Sequence, residues 1–431
     1  MELGRALYQS LLWRGLYYLS AFVMNILIAR HFQAVVSGEI YYIVSIYSLV
    51  LLFVSLSIDS GIVFYAAKNE ISPGKLLRFS LVWSLLIGIL TFCIVRFFIS
   101  GHSDLLLFSS VTYISGHLLM TYCTGLFYAK NNYLLPNLVS IFINLALVAF
   151  LPFFKGISLI PVIHDDNYFY WYFGSFLLQG IILVIVARLK YVQTWVTGFL
   201  TWPEFRLLFR YCAMAYIANI IFFFVYRIDY WFVERYCTPE DLGNYIQVSK
   251  LGQLFFIAPT ILASAVFPLT AGGQKETVNR FLKMLSSGIL LVYLVACGVL
   301  VICGQWLFPF VFGKSFSGMY QPFLFLIPGI LSLSGLHTLT AYYAGKNRIR
   351  VNINGSLLAL AVILVGDRIF IPRYGTVAAA LTSSIGYIVY QAYVLWVFKK
   401  EYQTSVSGFF IFTLSDWKVV TEGIKSLKNK N

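Results

Sequence analysis

The chain has 431 residues, 60% of them hydrophobic and only 11% charged, where soluble domains carry about 25% charged residues. With a mean hydropathy of +0.80, this excludes an ordinary soluble globular protein. The formal net charge of +14 raises the question of nucleic acid, but the basic residues are scattered through short gaps between apolar stretches, so no nucleic-acid partner is expected.

Twelve apolar stretches of roughly 20 residues, the length that crosses a bilayer as a helix, lie near 11–29, 40–58, 76–99, 105–128, 134–154, 168–189, 211–233, 243–268, 284–303, 320–344, 352–371 and 375–398. The gaps are mostly 5–15 residues, too short to fold alone. The first stretch is too long for a signal peptide, lacks a small-residue cleavage site and is followed by eleven more. The expected fold is all-α: a polytopic membrane protein of about twelve transmembrane helices in two pseudo-symmetric six-helix lobes with a central cleft.

If the N-terminus is cytoplasmic, Lys and Arg outside the deep membrane number 22 on the cytoplasmic side (Arg5 to the C-terminal lysines) and 7 on the other (Arg30, Arg96, Lys155, Arg235, Lys314, Arg368 and Arg373). Basic residues concentrate on the cytoplasmic side of membrane proteins. Both termini are therefore expected in the cytoplasm, with the protein in the cytoplasmic (inner) membrane.

The stretches divide into a lobe at 1–190, a cytoplasmic linker at 191–210, a lobe at 211–398 and a tail at 399–431. Two echoes relate the halves. Ala29-Arg30-His31-Phe32 leads to Gly38 and Tyr41, and Glu234-Arg235-Tyr236-Cys237 leads to Gly243 and Tyr245, with an Arg-to-Gly spacing of eight in both. Tyr128-Ala129-Lys130-Asn131 likewise parallels Tyr343-Ala344-Gly345-Lys346-Asn347. Such repeats place a substrate site between the halves. Pro259 and Pro328 fall inside stretches and read as packing kinks or flexing points. In the tail, Phe409-Phe410-Ile411-Phe412 is too short to span, and from about 415 the pattern fits an amphipathic helix on the membrane surface or a frayed basic end.

Charge inside a span costs about 2.5–3.5 kcal/mol at the helix centre, so Arg14, Asp59, Arg227, Asp229 and Lys250 are the sharpest functional pointers. Asp59 ends the second span, or sits at a break if that helix continues to Tyr65. Arg14, Tyr17, Tyr18, Ala21 and Asn25 share one helical face, as do Tyr216, Asn219, Phe223, Arg227 and Tyr230. Facing each other, two such stripes line a wet cleft. Substrate-binding candidates are Arg14, Tyr18, Asn25, Asn219, Arg227 and Lys250. Asp59 and Asp229 are candidates for ion coupling or structural pairing, Asp229 with Lys250. His117 and His337, mid-span, read as packing residues or a proton relay.

Spans 7 and 8, from Arg227-Ile228-Asp229-Tyr230 through Gly243-Asn244-Tyr245 to Phe267-Pro268, resemble the polysaccharide (O-antigen-type) flippases of the multidrug/oligosaccharidyl-lipid/polysaccharide exporter superfamily. Asp59-Ser60-Gly61, Pro309-Phe310-Val311-Phe312-Gly313 and Ile371-Pro372-Arg373-Tyr374-Gly375 with Ala378-Ala379-Ala380 extend the resemblance over nearly the whole chain. It implies two six-helix lobes in a V, spans 1, 2, 7 and 8 lining the cleft, and alternating access that moves a lipid-linked oligosaccharide on a polyprenyl diphosphate to the outer leaflet. Arginine clamps a diphosphate bidentately, and tyrosine offers a sugar ring a flat face and a hydroxyl. The implied partners are that cargo, the bilayer and glycan polymerase or assembly proteins.

The alternative keeps the fold and exports small molecules or drugs, although a cleft with three cations against Asp59 and Asp229 is slightly basic. The third reading is a polysaccharide polymerase or ligase. The longest external gap, Lys155 to Asn167, offers Asp165 and Asp166 but no nucleophile or ligand set, so an enzyme is not expected. Neither a cofactor nor a metal is expected: the six cysteines form no CxxC pair and the five histidines no HxxxH.

Overall fold

The computed structural model describes residues 2–99, 101, 103–154, 166–192, 198–256, 275–346, 348–403, 405–413, 416 and 417. Pro259, the Phe267-Pro268 motif, Lys155, Asp165, Asn347 and the tail from 418 lie outside the described residues.

The secondary structure is all helical among the described residues. In chain order the helices are α1 (Glu2–Ser55), α2 (Ile58–Ala67), α3 (Pro73–Phe98), α4 (Asp104–Ala129), α5 (Leu134–Phe150), α6 (Asp166–Tyr191), α7 (Trp202–Tyr236), α8 (Pro239–Leu254), α9 (Lys275–Phe312), α10 (Tyr320–Gly345) and α11 (Ile349–Tyr402). Nine helical segments among the described residues are long and apolar enough to cross a membrane. Of these, α1 holds the first expected stretch and most of the second, and α11 holds the last two.

Both of these helices fold back on themselves. In α1 the reversal is at Gln33, with φ 63° and ψ −179°. The Tyr41 hydroxyl lies 3.5 Å from the Asn25 carbonyl oxygen, 16 residues away, whereas a straight helix would separate them by about 24 Å. In α11 the reversal is at Gly375, with φ 59° and ψ −141°, and Thr382 donates to Asp367 across it. The arms of α11 pack closely because small residues line the seam: a Cβ on Gly386 would sit 2.6 Å from Ile363 and one on Gly366 2.5 Å from Thr382. The loops expected between stretches 1 and 2 and between 11 and 12 thus shrink to single left-handed residues.

The chain divides into two compact units, Met1–Gln33 with Ile40–Ile220, and Ala34–Glu39 with Ile221–Asn431. The first takes in residues 202–220 of α7, which the sequence reading gave partly to the linker and partly to the second lobe. Its α4 and α6 cross at glycines, where a Cβ on Gly180 would lie 2.8 Å from the Leu119 Cβ. Lys75 and Glu204 pair at 2.8 Å across the starts of α3 and α7.

In the second unit, residues 34–39 pack on the start of α8. A Cβ on Gly38 would lie 2.6 Å from the Gly243 Cα, and one on Gly243 would run into the Ala34 carbonyl oxygen. These are the two glycines of the first sequence echo, and they touch. At Pro328 the Ser384 hydroxyl enters the rung of α10, accepting from the Gly329 amide at 3.2 Å and donating to the Phe325 carbonyl at 2.6 Å. That contact ties the proline turn to α11, so packing gives a sufficient account of this proline. The tail segment folds back as well. Phe409 is buried against Phe398, with centroids 5.2 Å apart, and the Phe412 ring fills the notch at Gly288. Thr413 and Asp416 cap each other reciprocally, a signal that starts a helix.

Candidate functional site

In the first unit, the α1 stripe is graded rather than uniformly open. Arg14 is half-buried, its guanidinium 5.7 Å from the Tyr128 ring centre. Tyr17 and Tyr18 pack ring on ring at 5.3 Å, with Tyr18 exposed. Asn25 is buried at 8% exposure and belongs to the interior of the unit. A helix that drifts from surface to interior over three turns places equally spaced residues in different surroundings. That is why face-sharing in sequence overstated the open stripe.

The same unit contains a break in the second span. Leu56 and Ser57 both have positive φ, 51° and 52°, and α2 starts anew at Ile58 with Asp59 in its first turn. Of the two placements expected for Asp59, the structure takes the one at a break. The last carbonyls of α1 lose their helical donors there and are served from neighbouring helices. Trp83 donates to the Val54 oxygen at 2.9 Å, Tyr122 to Ser55 at 2.9 Å and Tyr216 to Phe53 at 3.4 Å. Asn219 donates to the Ser57 hydroxyl at 3.0 Å. Tyr216 and Asn219, two members of the α7 stripe, therefore buttress a discontinuous helix.

In the second unit Arg227 is half-buried, its guanidinium 5.3 Å from the Phe223 ring centre, and Lys250 is half-buried on α8. Asp229 points elsewhere. It is 2% exposed and accepts from Tyr245 at 2.5 Å and from Ser383 at 3.1 Å. The expected Asp229–Lys250 pairing is replaced by these hydroxyl contacts. On α8, Lys250 lies about 140° around the axis from Tyr245, so the face that meets Asp229 carries the hydroxyl and not the amine.

The sequence reading missed Asp367. It is fully buried in α11 and accepts from Thr382, the residue beside the one that holds Asp229. Each carboxylate keeps one buried oxygen without a hydrogen-bond partner, Oδ1 of Asp229 and Oδ2 of Asp367. A cavity of about 10 Å³ is bounded by Asp229, Tyr245, Ser249, Gln253, Ser383 and Tyr387 among others; that is near the minimum for one water. Two buried carboxylates with idle oxygens can take up a proton or a small dehydrated cation, since burying them charged and unneutralised is costly. The available signal was an aspartate inside stretch 11, masked by its neighbour Arg368, which made the pair look interfacial.

His117 packs on Tyr113 and Phe176, with centroids 4.3 and 4.6 Å away, and His337 on Phe256 at 5.2 Å. Among the described residues, no group of three or more His, Cys, Asp or Glu could hold a metal ion.

No protein-family model matches the chain, and no curated protein matches it. Solved structures do. The Vibrio cholerae MATE transporter VcmN in its bent form is 12% identical with a TM-score of 0.64, covering 95% of this chain and 99% of that one. The lipid II flippase MurJ in an inward closed conformation is 15% identical with a TM-score of 0.69, covering 94% and 90%. A MOP superfamily transporter from Pyrococcus furiosus is 12% identical with a TM-score of 0.61, covering 92% and 94%. At such identities the likeness is one of fold: this chain is folded as the MATE and MurJ transporters are, the fold that the sequence resemblance implied.

Proposed function

We propose that the protein flips a lipid-linked oligosaccharide, carried on a polyprenyl diphosphate, across the cytoplasmic membrane by alternating access, for surface polysaccharide biosynthesis. The observation that carries this reading is the unequal burial of the charges inside the spans. Arg14, Arg227 and Lys250 are half-buried, while Asp229 is withdrawn into the second unit and engaged by Tyr245 and Ser383. Each unit thus offers cations that suit a diphosphate, Arg14 in the first and Arg227 with Lys250 in the second. Likeness of fold to a lipid II flippase supports a lipid-linked cargo. Glycan polymerase or assembly proteins are the proposed partners, and both termini are proposed to be cytoplasmic.

Asp229 and Asp367 are the proposed coupling pair, loaded by a proton or a small cation and stabilising one state of the cycle. The second reading, a small-molecule exporter, is favoured by the likeness to MATE transporters. Cells deleted for the gene separate the two. Lipid-linked glycan intermediates should accumulate on the cytoplasmic leaflet and be cleared by wild type but not by Arg227→Ala. Clearance by both keeps the flippase and reduces Arg227 to packing. Intact surface glycan with no accumulation overturns the flippase and leaves the exporter.

A further inference from the structure

The first unit carries a groove of about 520 Å³ between α3 and α4, remote in sequence from the charged stripes. Its outer wall is α3: Val82, Leu85, Ile89 and Phe92, each exposed by 42–65%. In a chain that crosses a membrane, these side chains meet lipid. Its floor is small and partly polar. Gly88 and Ser115 let the helices approach, a Cβ on Gly88 reaching the Ser115 Cβ at 3.4 Å. Ser84 opens onto the groove, is 1% exposed and has no partner for its hydroxyl.

Helical spacing places a cation at one end. Arg78 lies one turn before Val82, and Leu85, Ile89 and Phe92 stay within about 40° of its direction. Arg78 is half-buried, beside the exposed Phe199 ring at 5.9 Å. Ser84 is about 9 Å further along the axis. A guanidinium at the foot, a hydroxyl donor a short way in and an apolar channel beyond match the order of groups along a phospholipid: phosphate, ester carbonyl, acyl chain. Arg96, at the other end of α3, lies on the same face, but no partnerless polar side chain accompanies it in the groove, which sets the polarity of the site.

We infer that this groove is a binding site for an anionic glycerophospholipid, its phosphate at Arg78 and one acyl chain along Val82–Phe92. A polyprenyl diphosphate, the proposed cargo, has no ester carbonyl for Ser84, so the occupant is a membrane lipid rather than cargo. The inference holds whichever cargo the protein moves.

Native mass spectrometry of the full-length protein with phosphatidylglycerol, phosphatidylcholine and polyprenyl monophosphate tests it. Wild type should retain phosphatidylglycerol at least fivefold better than phosphatidylcholine. Arg78→Gln should erase that preference, and Gly88→Leu, which fills the groove, should reduce retention of both lipids. Arg96→Gln should leave retention unchanged. Equal retention by wild type and both groove variants means a non-specific lipid shell and overturns the site. Loss with Arg96→Gln alone overturns its polarity. Displacement of phosphatidylglycerol by polyprenyl monophosphate in wild type overturns the choice of occupant. Should Gly88→Leu not fold, Arg78→Gln, at a half-buried position, still decides through the preference for the anionic lipid.

Discussion

The two oxygens of the Asp229 carboxylate have different surroundings, and that difference separates structure from function at a single residue. One oxygen is held by Tyr245 and Ser383, while the other is buried without a partner. Asp229→Ala strands both hydroxyls and should lower stability by about 1–3 kcal/mol, read as an earlier unfolding midpoint in detergent. Asp229→Asn keeps an acceptor and should unfold near wild type, yet fail to clear lipid-linked intermediates. Transport at the wild-type rate by the Asn variant would remove the carboxylate from coupling. Gly243 is a second decisive position. Its missing side chain admits the Ala34 carbonyl, and backbone cannot step aside as a flexible side chain can. Gly243→Val should prevent recovery of folded protein, whereas Gly15→Val, with nothing within 4 Å of its Cβ, should be recovered normally. The half-burial of Arg14 and Arg227 was legible as charge within apolar runs. The burial of Asp367 was not, because it depends on which way a helix is turned against its partner.

At the scale of the helices, the two hairpin reversals form a matched pair with unequal residues. Gly375 occupies its left-handed conformation without a Cβ, but Gln33 adopts a comparable one with a side chain. Non-glycine residues in such regions cost of order 1–3 kcal/mol. Gln33→Gly should therefore raise thermal stability and Gly375→Val should lower it, both by about that amount, measured by unfolding in the same detergent. Loss of the Gln33 amide contact to the Arg30 carbonyl, 2.7 Å long, will trim the first gain. A separate prediction concerns the break at Leu56-Ser57. Carbonyls freed inside a span must find donors within the protein, and Trp83 and Tyr122 supply them. Trp83→Phe and Tyr122→Phe should each cost about 1 kcal/mol, and their effects should combine non-additively because both serve one discontinuity. Apolar runs and proline positions announced the helices. They did not announce one-residue reversals, since a turn that short leaves no polar interval to read.

For the molecule as a whole, charge gives the simplest check. With 22 basic residues assigned to one side and 7 to the other, an alkaline phosphatase fusion after Asn431 should be inactive and one inserted near 101 active. The reverse pattern would invert the proposed orientation and with it the direction of transport. The echo glycines Gly38 and Gly243 are in contact within the second unit.

By itself, the sequence determined that the protein lies in a membrane, that it is all-α and roughly how many times it crosses, because transfer of apolar side chains from water is a local, additive property of each stretch. It also narrowed the fold through dispersed motifs. Only the tertiary structure decided that Asp229 bonds to Tyr245 and Ser383 instead of pairing with Lys250, that Asp367 joins it, that Asp59 follows a buttressed break and that α3 and α4 leave a groove. Those outcomes depend on helix rotation, on donors contributed by distant residues and on where glycines let backbones close, none of which is additive along the chain.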